Sequence, residues 1–368
     1  MVQTQRPVMV GVVGDSATGK TTITDGLVTL IGADRVTHVS TDDYHKYDRK
    51  ERAALDITAL HPECNYLDIL EQHLHHLRQG DAILKPVYDH ATGSLTRPVY
   101  VQPREFVIVE GLLGFYTPAM RDMYDVKVYL DPAETLRRHW KMTRDTARRG
   151  YTPEQVLQQL QNREADSQQF IRPQREHSDI VVHFYPPMGQ VAAIAGSHLN
   201  VRLTLNPTVL HPALSYLWQE NPSEHAGIRI EMERDQHNQT VVILEIDGNV
   251  CPERASALEQ SIWQHLLDVH PLRADEFGDY DDRTQRRHSD PLALTQLLLT
   301  CQVLQQYHQL HSSDSGEADN TALLQRLWLV ATNTLLSGSG SPGSVRRLPG
   351  RLAQRSVRSS SKPSGTMR

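Results

Sequence analysis

Short apolar runs alternate with amphipathic stretches along the first half of the chain. Residues 8–13 and 106–109 are continuous apolar runs, which is typical of parallel strands that are buried on both faces. Apolar positions between residues 67 and 77 recur at helical spacing, and Gly80 then ends that pattern. The same reasoning predicts strands at 35–40, 126–130 and 180–184, and helices at 20–31, at 133–149 and from residue 152. This alternation predicts an α/β fold with a doubly wound, mostly parallel sheet and helices on both faces.

The pattern changes at about residue 195. Residues 200–205, 228–232 and 241–246 alternate as half-exposed antiparallel strands do, and helical patterns follow at 252–269, 291–307 and 321–336. The acidic segment 275–282 and the polar segment 312–320 are predicted loops. We therefore predict an α/β domain at 1–194, a smaller α+β domain at 195–336, and a disordered basic Arg/Ser-rich tail at 337–368.

Composition narrows the functional classes. The chain has 368 residues, 39% of them hydrophobic, and no apolar run approaches the length of a membrane span. Its formal net charge of −6 disfavours general nucleic-acid binding, so no specific nucleic acid is expected. Cys64, Cys251 and Cys301 are far apart and lack metal-ligand spacing, which predicts a reducing, cytoplasmic setting.

Residues 14–21 read G-D-S-A-T-G-K-T, which fits G-x-x-x-x-G-K-[ST], and lie between the first predicted strand and the first predicted helix. The two glycines allow a tight backbone path whose N–H groups surround an anion, and Lys20 adds a full positive charge. The pattern predicts a P-loop kinase domain that binds ATP, with Mg²⁺ on the Thr21 hydroxyl. The ATP-binding residues are expected to be Gly14, Asp15, Ser16, Ala17, Thr18, Gly19, Lys20, Thr21 and Thr22.

Polar residues follow two neighbouring strands and one helix. Asp42 comes after the second predicted strand and is placed as the base for an acceptor hydroxyl. Glu110 follows a buried strand and is placed near Mg²⁺. The helix 133–149 carries cations on one face, at Lys141, Arg144, Arg148 and Arg149. Such cations repel one another unless anionic phosphates lie across them, so they suggest a phosphorylated acceptor.

Longer motifs surround these residues. They are Asp42-Asp43-Tyr44-His45 with Asp48-Arg49, Thr58-Ala59-Leu60-His61-Pro62, Lys85-Pro86-x-Tyr88-x-His90-x-Thr92-Gly93, Lys141-x-x-Arg144-Asp145-x-x-x-Arg149-Gly150 and Pro173-Gln174-x-x-His177-x-Asp179. Together they resemble the phosphoribulokinase/uridine kinase family over about residues 7–187. Within that family the match is closest to the phosphoribulokinase branch, which phosphorylates ribulose 5-phosphate.

The resemblance implies a role for each matched position. Asp42 would be the base for the C1 hydroxyl of ribulose 5-phosphate, with Lys20 and Arg144 as further catalytic residues and Thr21 and Glu110 as Mg²⁺ ligands. The substrate-binding residues would be His45, Arg49, Tyr88, His90, Lys141, Asp145 and Arg149. The resemblance also implies a homodimer that forms edge to edge between sheets.

Three positions depart from the branch. Thr18 and Ser40 stand where plant and cyanobacterial members carry regulatory cysteines, so a thiol switch and a thiol-dependent regulatory complex are not expected. Leu113 stands where a histidine is usual in that branch, whereas uridine kinases tend to carry an apolar residue there. Two alternatives to a ribulose-5-phosphate kinase therefore stay open: a uridine, nucleoside or other small-metabolite kinase of the same fold, and a non-catalytic regulatory paralogue.

Overall fold

The computed structural model describes residues 6–187, 198–206, 227–264, 277–282 and 285–311. The strands are β1 (Val8–Gly14), β2 (Val36–Ser40), β3 (Ile83–Asp89), β4 (Ser94–Val101), β5 (Phe106–Gly111), β6 (Val126–Leu130), β7 (Ile180–Tyr185), β8 (Asn200–Leu205), β9 (Ile228–Arg234), β10 (Thr240–Ile246), β11 (Asp279–Asp282) and β12 (Gln285–His288). The helices are α1 (Lys20–Ile31), α2 (Arg49–Leu55), α3 (Leu67–Gln79), α4 (Pro118–Arg121), α5 (Glu134–Arg148), α6 (Pro153–Asp166), α7 (Pro252–Gln264) and α8 (Asp290–His311).

The predicted α/β sheet is confirmed. Eight strands form one sheet in the order β2-β5-β1-β6-β7-β8-β10-β9. The first five of these are parallel to one another, and β8, β10 and β9 continue the sheet by antiparallel pairing. The hairpins β3–β4 and β11–β12 form two separate two-stranded sheets.

Helices cover both faces of the sheet, which explains why its central strands are apolar without alternation. Along β1, Val10 and Val12 belong to one core, which also contains apolar residues of α1 and α8. Met9 and Val13 belong to the other core, which contains residues of α3. Because neighbouring side chains of a strand point to opposite faces, every position of β1 is buried.

The strand register brings the sequence motifs to one edge of the sheet. Glu110 on β5 lies opposite Ser40 on β2 and opposite Val12 on β1. The end of β2, which leads to Asp42, and the end of β1 at Gly14 therefore lie at the same level of the sheet. This carboxyl edge of the parallel strands is where ligands bind in open α/β sheets.

The structure corrects several expectations from the sequence. Residues 275–282 are not simply a loop, because Asp279–Asp282 pair with Gln285–His288. Helix α2 was not expected; it begins at a capping box of Asp48 and Glu51, a local signal without a long apolar stripe. Half-exposure is wrong for β10, which lies between β8 and β9 and has six buried residues out of seven.

The predicted domain boundary at residue 194 stays a prediction. Strands from both sides of it share the sheet, and α8 packs against the same core as α1. The predicted helix 321–336 and tail 337–368 lie outside the described residues. Among the helices that the structure describes, none has the length and apolarity required to cross a membrane.

Candidate active site

The phosphate loop joins β1 to α1 in the conformation that its glycines predict. Gly19 precedes α1 with φ of 92°, in the left-handed region that glycine adopts without strain. Among the described residues no side chain caps α1, so its first backbone N–H groups face the loop without a side-chain acceptor there. A helix N-terminus of this kind suits a phosphate group.

Polar contacts hold the loop in shape. Thr18 donates from its Oγ1 to the carbonyl of Asp15 at 3.0 Å, and Lys20 Nζ donates to the carbonyls of Gly14 and Asp15 at 2.9 and 2.8 Å. The Asp15 carboxylate is buried and accepts a hydrogen bond from Ser167 Oγ at 2.5 Å. Asp15 was predicted to bind ATP, but its buried carboxylate holds the loop against Ser167. No sequence motif indicated Ser167.

The two predicted magnesium ligands lie together. Thr21 Oγ1 is 3.3 Å from both carboxylate oxygens of Glu110. Neighbouring ligands of an octahedral Mg²⁺ with 2.0–2.1 Å bonds are separated by about 3 Å, so this pair fits two adjacent positions. Among the described residues no group of three or more His, Cys, Asp and Glu side chains could hold a metal ion.

Paired carboxylates follow β2 on a short 3₁₀ turn, Thr41–Tyr44, which Ser40 caps by accepting from Asp42 N. Asp43 is used structurally, since it pairs with Lys85 and accepts from the backbone N–H of Tyr88 at 2.9 Å. Asp42 instead lines the cleft. The two adjacent aspartates thus have different tasks.

The electrostatic surroundings keep Asp42 ionised. Burial by itself raises the pKa of the Asp42 carboxyl, but the positive surroundings of His45, Lys20, His90 and Arg149 outweigh it and lower that pKa. The nearest of these contacts is with His90, whose Nε2 lies 3.7 Å from Asp42 Oδ2. An ionised carboxylate beside the phosphate loop is a proton acceptor.

A row of aromatic rings forms the wall beside Asp42. His45 and Tyr88 meet edge to face with centroids 4.9 Å apart, as do Tyr88 and His90 at 5.1 Å. His45 Nδ1 is 2.7 Å from the Oδ1 atom of Asn65, which holds the ring in place. Burial lowers the pKa of His45 and of His90, and the nearby Asp42 carboxylate opposes that change in both rings.

Two arginines of α2 approach this wall. Arg49 donates to the carbonyl of His90 at 2.7 Å. Arg52 donates to Tyr88 Oη at 2.6 Å, and its guanidinium lies 5.0 Å from the centre of the Tyr88 ring. Arg49 was predicted as a substrate-binding residue, whereas Arg52 was missed. It lies one helical turn after Arg49, a spacing that becomes informative once α2 is known.

Helix α5 places its cations around one buried carboxylate. Asp145 Oδ2 accepts from Lys141 Nζ at 2.6 Å, Asp145 Oδ1 accepts from Arg144 at 2.9 Å, and Arg149 lies 3.6 Å from Oδ1. Arg144 also donates to Ser16 Oγ in the phosphate loop at 3.2 Å. Asp145 therefore offsets these positive charges. This corrects the expectation from the sequence that only bound phosphates could do so. Lys141 and Asp145 are buried beneath the cleft wall, whereas Arg144 and Arg149 line it.

Arg163 on α6 also lines the cleft and was missed by the sequence. Burial lowers the pKa of its guanidinium, Asp15 and Asp145 oppose that change, and Arg52 and Arg144 add to it. Among the described residues it donates no hydrogen bond, which distinguishes it from Arg52 and Arg144. A half-buried guanidinium without a hydrogen-bond acceptor would be stabilised by an anionic ligand in the cleft.

One cleft of about 1280 Å³ is lined by Lys20, Thr21, Asp42, Glu110 and Arg144. It runs from the His45–Tyr88–His90 wall, past the phosphate loop, to the hairpin β11–β12. Its walls combine donors for phosphates, a carboxylate acceptor and a magnesium pair. This arrangement is suited to phosphoryl transfer, which depends on positioning and on charge stabilisation.

The sequence is similar to a known protein family and to known kinases. The family model described as "Phosphoribulokinase / Uridine kinase family" matches residues 9–189. A phosphoribulokinase of Synechocystis sp. is 34% identical over 259 residues, covering 67% of this chain and 78% of that protein. A chloroplastic phosphoribulokinase of Arabidopsis thaliana is 30% identical and covers 66% and 69%, respectively.

Two further comparisons add context. A uridine kinase of Chloroflexus aggregans is 34% identical over 181 residues, covering 48% of this chain and 86% of that protein. The solved structure of phosphoribulokinase from Rhodobacter spheroides matches the fold with a TM-score of 0.50 and 19% identity, covering 71% of this chain and 98% of the other. The fold, the phosphate loop and these similarities lead to one conclusion: the chain belongs to the phosphoribulokinase/uridine kinase family.

Proposed function

We propose that the chain transfers the γ-phosphoryl group of ATP to the C1 hydroxyl of ribulose 5-phosphate, giving ribulose 1,5-bisphosphate and ADP. The observation that carries this proposal is the position of Asp42. Its low-pKa carboxylate shares a cleft with the phosphate loop and with Arg49, Arg144, Arg149 and Arg163. A dianionic sugar phosphate requires such charge-assisted contacts, whereas a neutral nucleoside does not.

The reaction follows from the positions of these groups. Asp42 accepts the proton of the C1 hydroxyl as that oxygen forms its bond to the γ-phosphorus. The bond from the γ-phosphorus to the bridging oxygen breaks, and ADP takes the electron pair. Lys20 and Arg144 stabilise the charge of the transferring group from the loop side. Thr21 and Glu110 would hold Mg²⁺, which would supply positive charge against the phosphate oxygens.

The acceptor's 5-phosphate is assigned to the arginines beyond Asp42. Arg49, Arg149 and Arg163 line the cleft with His45 and His90, to which we assign the sugar hydroxyls. Arg163 is assigned here because its guanidinium carries no other hydrogen bond among the described residues. Tyr88 orders the two histidines through its edge-to-face contacts.

Two observations favour this acceptor over a nucleoside. The phosphoribulokinase alignment covers 259 residues, more than the 181 residues shared with the uridine kinase, so the similarity extends into the region after β7. Leu113, where the family branch usually has a histidine, is buried with Leu60 and Ile171 and does not line the cleft. A leucine in place of the histidine therefore leaves the residues that line the cleft unchanged.

The presence of Lys20, Asp42, Glu110 and Arg144 together disfavours a non-catalytic paralogue.

The test is an ADP-release assay with ribulose 5-phosphate, uridine or cytidine as the acceptor. We expect rapid release with ribulose 5-phosphate and only background with the nucleosides or without an acceptor. Faster release with uridine or cytidine would assign the chain to the nucleoside kinases instead.

We further propose a homodimer and a cytoplasmic location. Support for the dimer comes from the hairpin β3–β4. Among the described strands β4 pairs only with β3, and Leu84 and Tyr100 are 60% and 73% exposed. Support for the location comes from three cysteines that are all unpaired. Sedimentation equilibrium of the full chain tests the dimer: Tyr100→Asp is expected to give monomers, and a monomeric unaltered chain would contradict it.

A further inference from the structure

Glu110, one of the two proposed magnesium ligands, is a buried carboxylate that has to be held in place. The residue is 7% exposed, and a carboxylate in such surroundings requires hydrogen-bond donors or positive charge. Thr21 Oγ1 lies 3.3 Å from both of its oxygens, but a hydroxyl has a single proton to donate. Thr21 therefore cannot satisfy both carboxylate oxygens at once.

His38 on β2 makes a second polar contact with this carboxylate. Its Nε2 lies 3.3 Å from Glu110 Oε1, and the His38 side chain is 38% exposed whereas that of Glu110 is 10% exposed. No sequence motif indicated His38. The imidazole thus approaches the carboxylate from the solvent side, at the edge strand of the large sheet.

Strand register explains why these two side chains meet. His38 lies opposite Ile108 in the parallel pairing of β2 with β5, and Glu110 is two residues further along β5. Alternate residues of a strand share a face, so His38 and Glu110 lie on the same face of the sheet as Ile108. The core on that face contains apolar residues of α1, the helix that carries Thr21.

Helix α1 also brings a second carboxylate near Glu110. Asp25 lies one helical turn after Thr21, and both residues line the cleft. Burial and the Glu110 carboxylate raise the pKa of Asp25, whereas His38 opposes that change. Lys20 is a further cation near Glu110, but its Nζ donates to backbone carbonyls of the phosphate loop. Glu110 therefore has a repelling neighbour on α1 and a polar contact on β2.

We propose that His38 is a positioning residue for the magnesium site: its imidazole holds the Glu110 carboxylate beside Thr21 and thereby strengthens metal binding. The described residues that line the cleft do not include His38, so it acts through Glu110 rather than on the phosphates. Groups that orient a metal-binding side chain contribute about 10- to 100-fold to metal affinity. The inference rests on the proposed function, since it takes Mg²⁺-dependent phosphoryl transfer as the reaction.

Direct measurement of metal binding tests this role. The full chain is titrated with Mn²⁺, which prefers the same oxygen ligands as Mg²⁺, in the presence of ADP, and free Mn²⁺ is followed by electron paramagnetic resonance. His38→Ala and His38→Val are each expected to weaken Mn²⁺ binding about tenfold. Valine is a strong strand former, so His38→Val preserves β2 if His38→Ala does not.

Two matched variants accompany these. His38→Gln keeps an N–H donor on a side chain of similar reach and should bind Mn²⁺ within about threefold of the unaltered chain. His75→Ala removes an exposed histidine of α3 and should leave Mn²⁺ binding unchanged.

Two further readouts separate positioning from general damage. Affinity for ADP without a metal, measured by calorimetry with EDTA present, should stay within about twofold in His38→Ala, because His38 acts only through the metal ligand. In the ADP-release assay the Mg²⁺ concentration that gives half the maximal rate should rise about tenfold, while saturating Mg²⁺ restores kcat.

Each outcome decides a different claim. Unchanged Mn²⁺ affinity in His38→Ala and His38→Val, a loss in His38→Gln equal to theirs, or an equal loss of metal-free ADP binding would overturn the role of His38. An unaltered chain that binds Mn²⁺ with ADP but phosphorylates uridine rather than ribulose 5-phosphate would overturn the proposed acceptor alone. Failure of the unaltered chain to bind Mn²⁺ with ADP would overturn the magnesium pair, and both proposals with it.

Discussion

Lys141 Nζ lies 2.6 Å from Asp145 Oδ2, one helical turn further along α5, and both side chains are at least 99% buried. The other carboxylate oxygen accepts from Arg144 at 2.9 Å. Asp145 therefore holds Arg144 in the orientation that reaches Ser16 in the phosphate loop. Removing one partner of a buried pair leaves an uncompensated charge, so this pair governs the position of Arg144.

The Lys141 pair predicts a loss of activity at alkaline pH. Burial and Arg163 lower the pKa of Lys141 to about 8, although Asp145 opposes this, whereas Asp145, with its pKa lowered to about 2, stays ionised. Below pH 8 the ammonium offsets Asp145, and above it the ammonium loses its proton and the pair breaks. We expect kcat/KM, which reports the free enzyme, to fall above about pH 8.

The control for this prediction is Lys141→Met. It should lower kcat/KM at neutral pH and remove the alkaline decline, because the titrating group is gone. An alkaline decline of the same shape in Lys141→Met would assign the titration to another group.

Replacing the base should abolish most of the turnover. Asp42→Asn keeps the size of the side chain but removes the proton acceptor, so kcat should fall by about 10²–10⁴. Affinity for MgATP, measured by calorimetry, should stay within about twofold. Asp68→Asn, an exposed acid in the first turn of α3, is the matched control. Near-normal turnover of Asp42→Asn would remove Asp42 from the mechanism.

Arg163 should act on the acceptor rather than on the nucleotide. Loss of charge-assisted hydrogen bonds to a phosphate costs about 1.5–3 kcal/mol, so Arg163→Ala should raise the KM for ribulose 5-phosphate by roughly 10- to 100-fold. The KM for ATP should change little. Arg172→Ala serves as the comparison, since Arg172 pairs with Glu164 at the surface. An unchanged acceptor KM in Arg163→Ala would place the phosphate elsewhere.

Thiol reagents should leave the activity unaltered. Thr18 and Ser40 occupy the two positions discussed above and use their hydroxyls on Asp15 and Asp42 backbone groups. Cys64 and Cys301 are buried, and Cys251 is exposed but unpaired. Initial rates with and without dithiothreitol are expected to agree, and strong activation by the reductant would show a thiol switch.

The sequence predicted the parts of the site that follow from local patterns. Gly14 to Thr22 could be placed because the loop motif stands between an apolar strand and a helix. Asp42 and Glu110 could be placed because strand ends converge at one edge of a parallel sheet. Both predictions depend on residues that are close in sequence and on the rule that ligands bind at the carboxyl edge of a parallel sheet.

Other contacts depend on distances in the fold that no local pattern encodes. Arg163 meets the cleft only because α6 packs against α5, and Ser167 reaches Asp15 across 152 positions in sequence. Gln296 touches Thr22 across 274 positions. The hairpin β11–β12 escaped prediction because its strands are short and charged, so hydrophobic alternation gives no signal there.

The most direct test of the central claim is the identity of the product. The chain is incubated with MgATP and ribulose 5-phosphate, and the product is examined by ³¹P and ¹³C nuclear magnetic resonance. We predict ribulose 1,5-bisphosphate, seen as a second phosphorus signal that couples to C1, formed in step with ADP and absent from the Asp42→Asn reaction. A phosphate on any other hydroxyl, or no product while uridine is phosphorylated under the same conditions, would contradict the account.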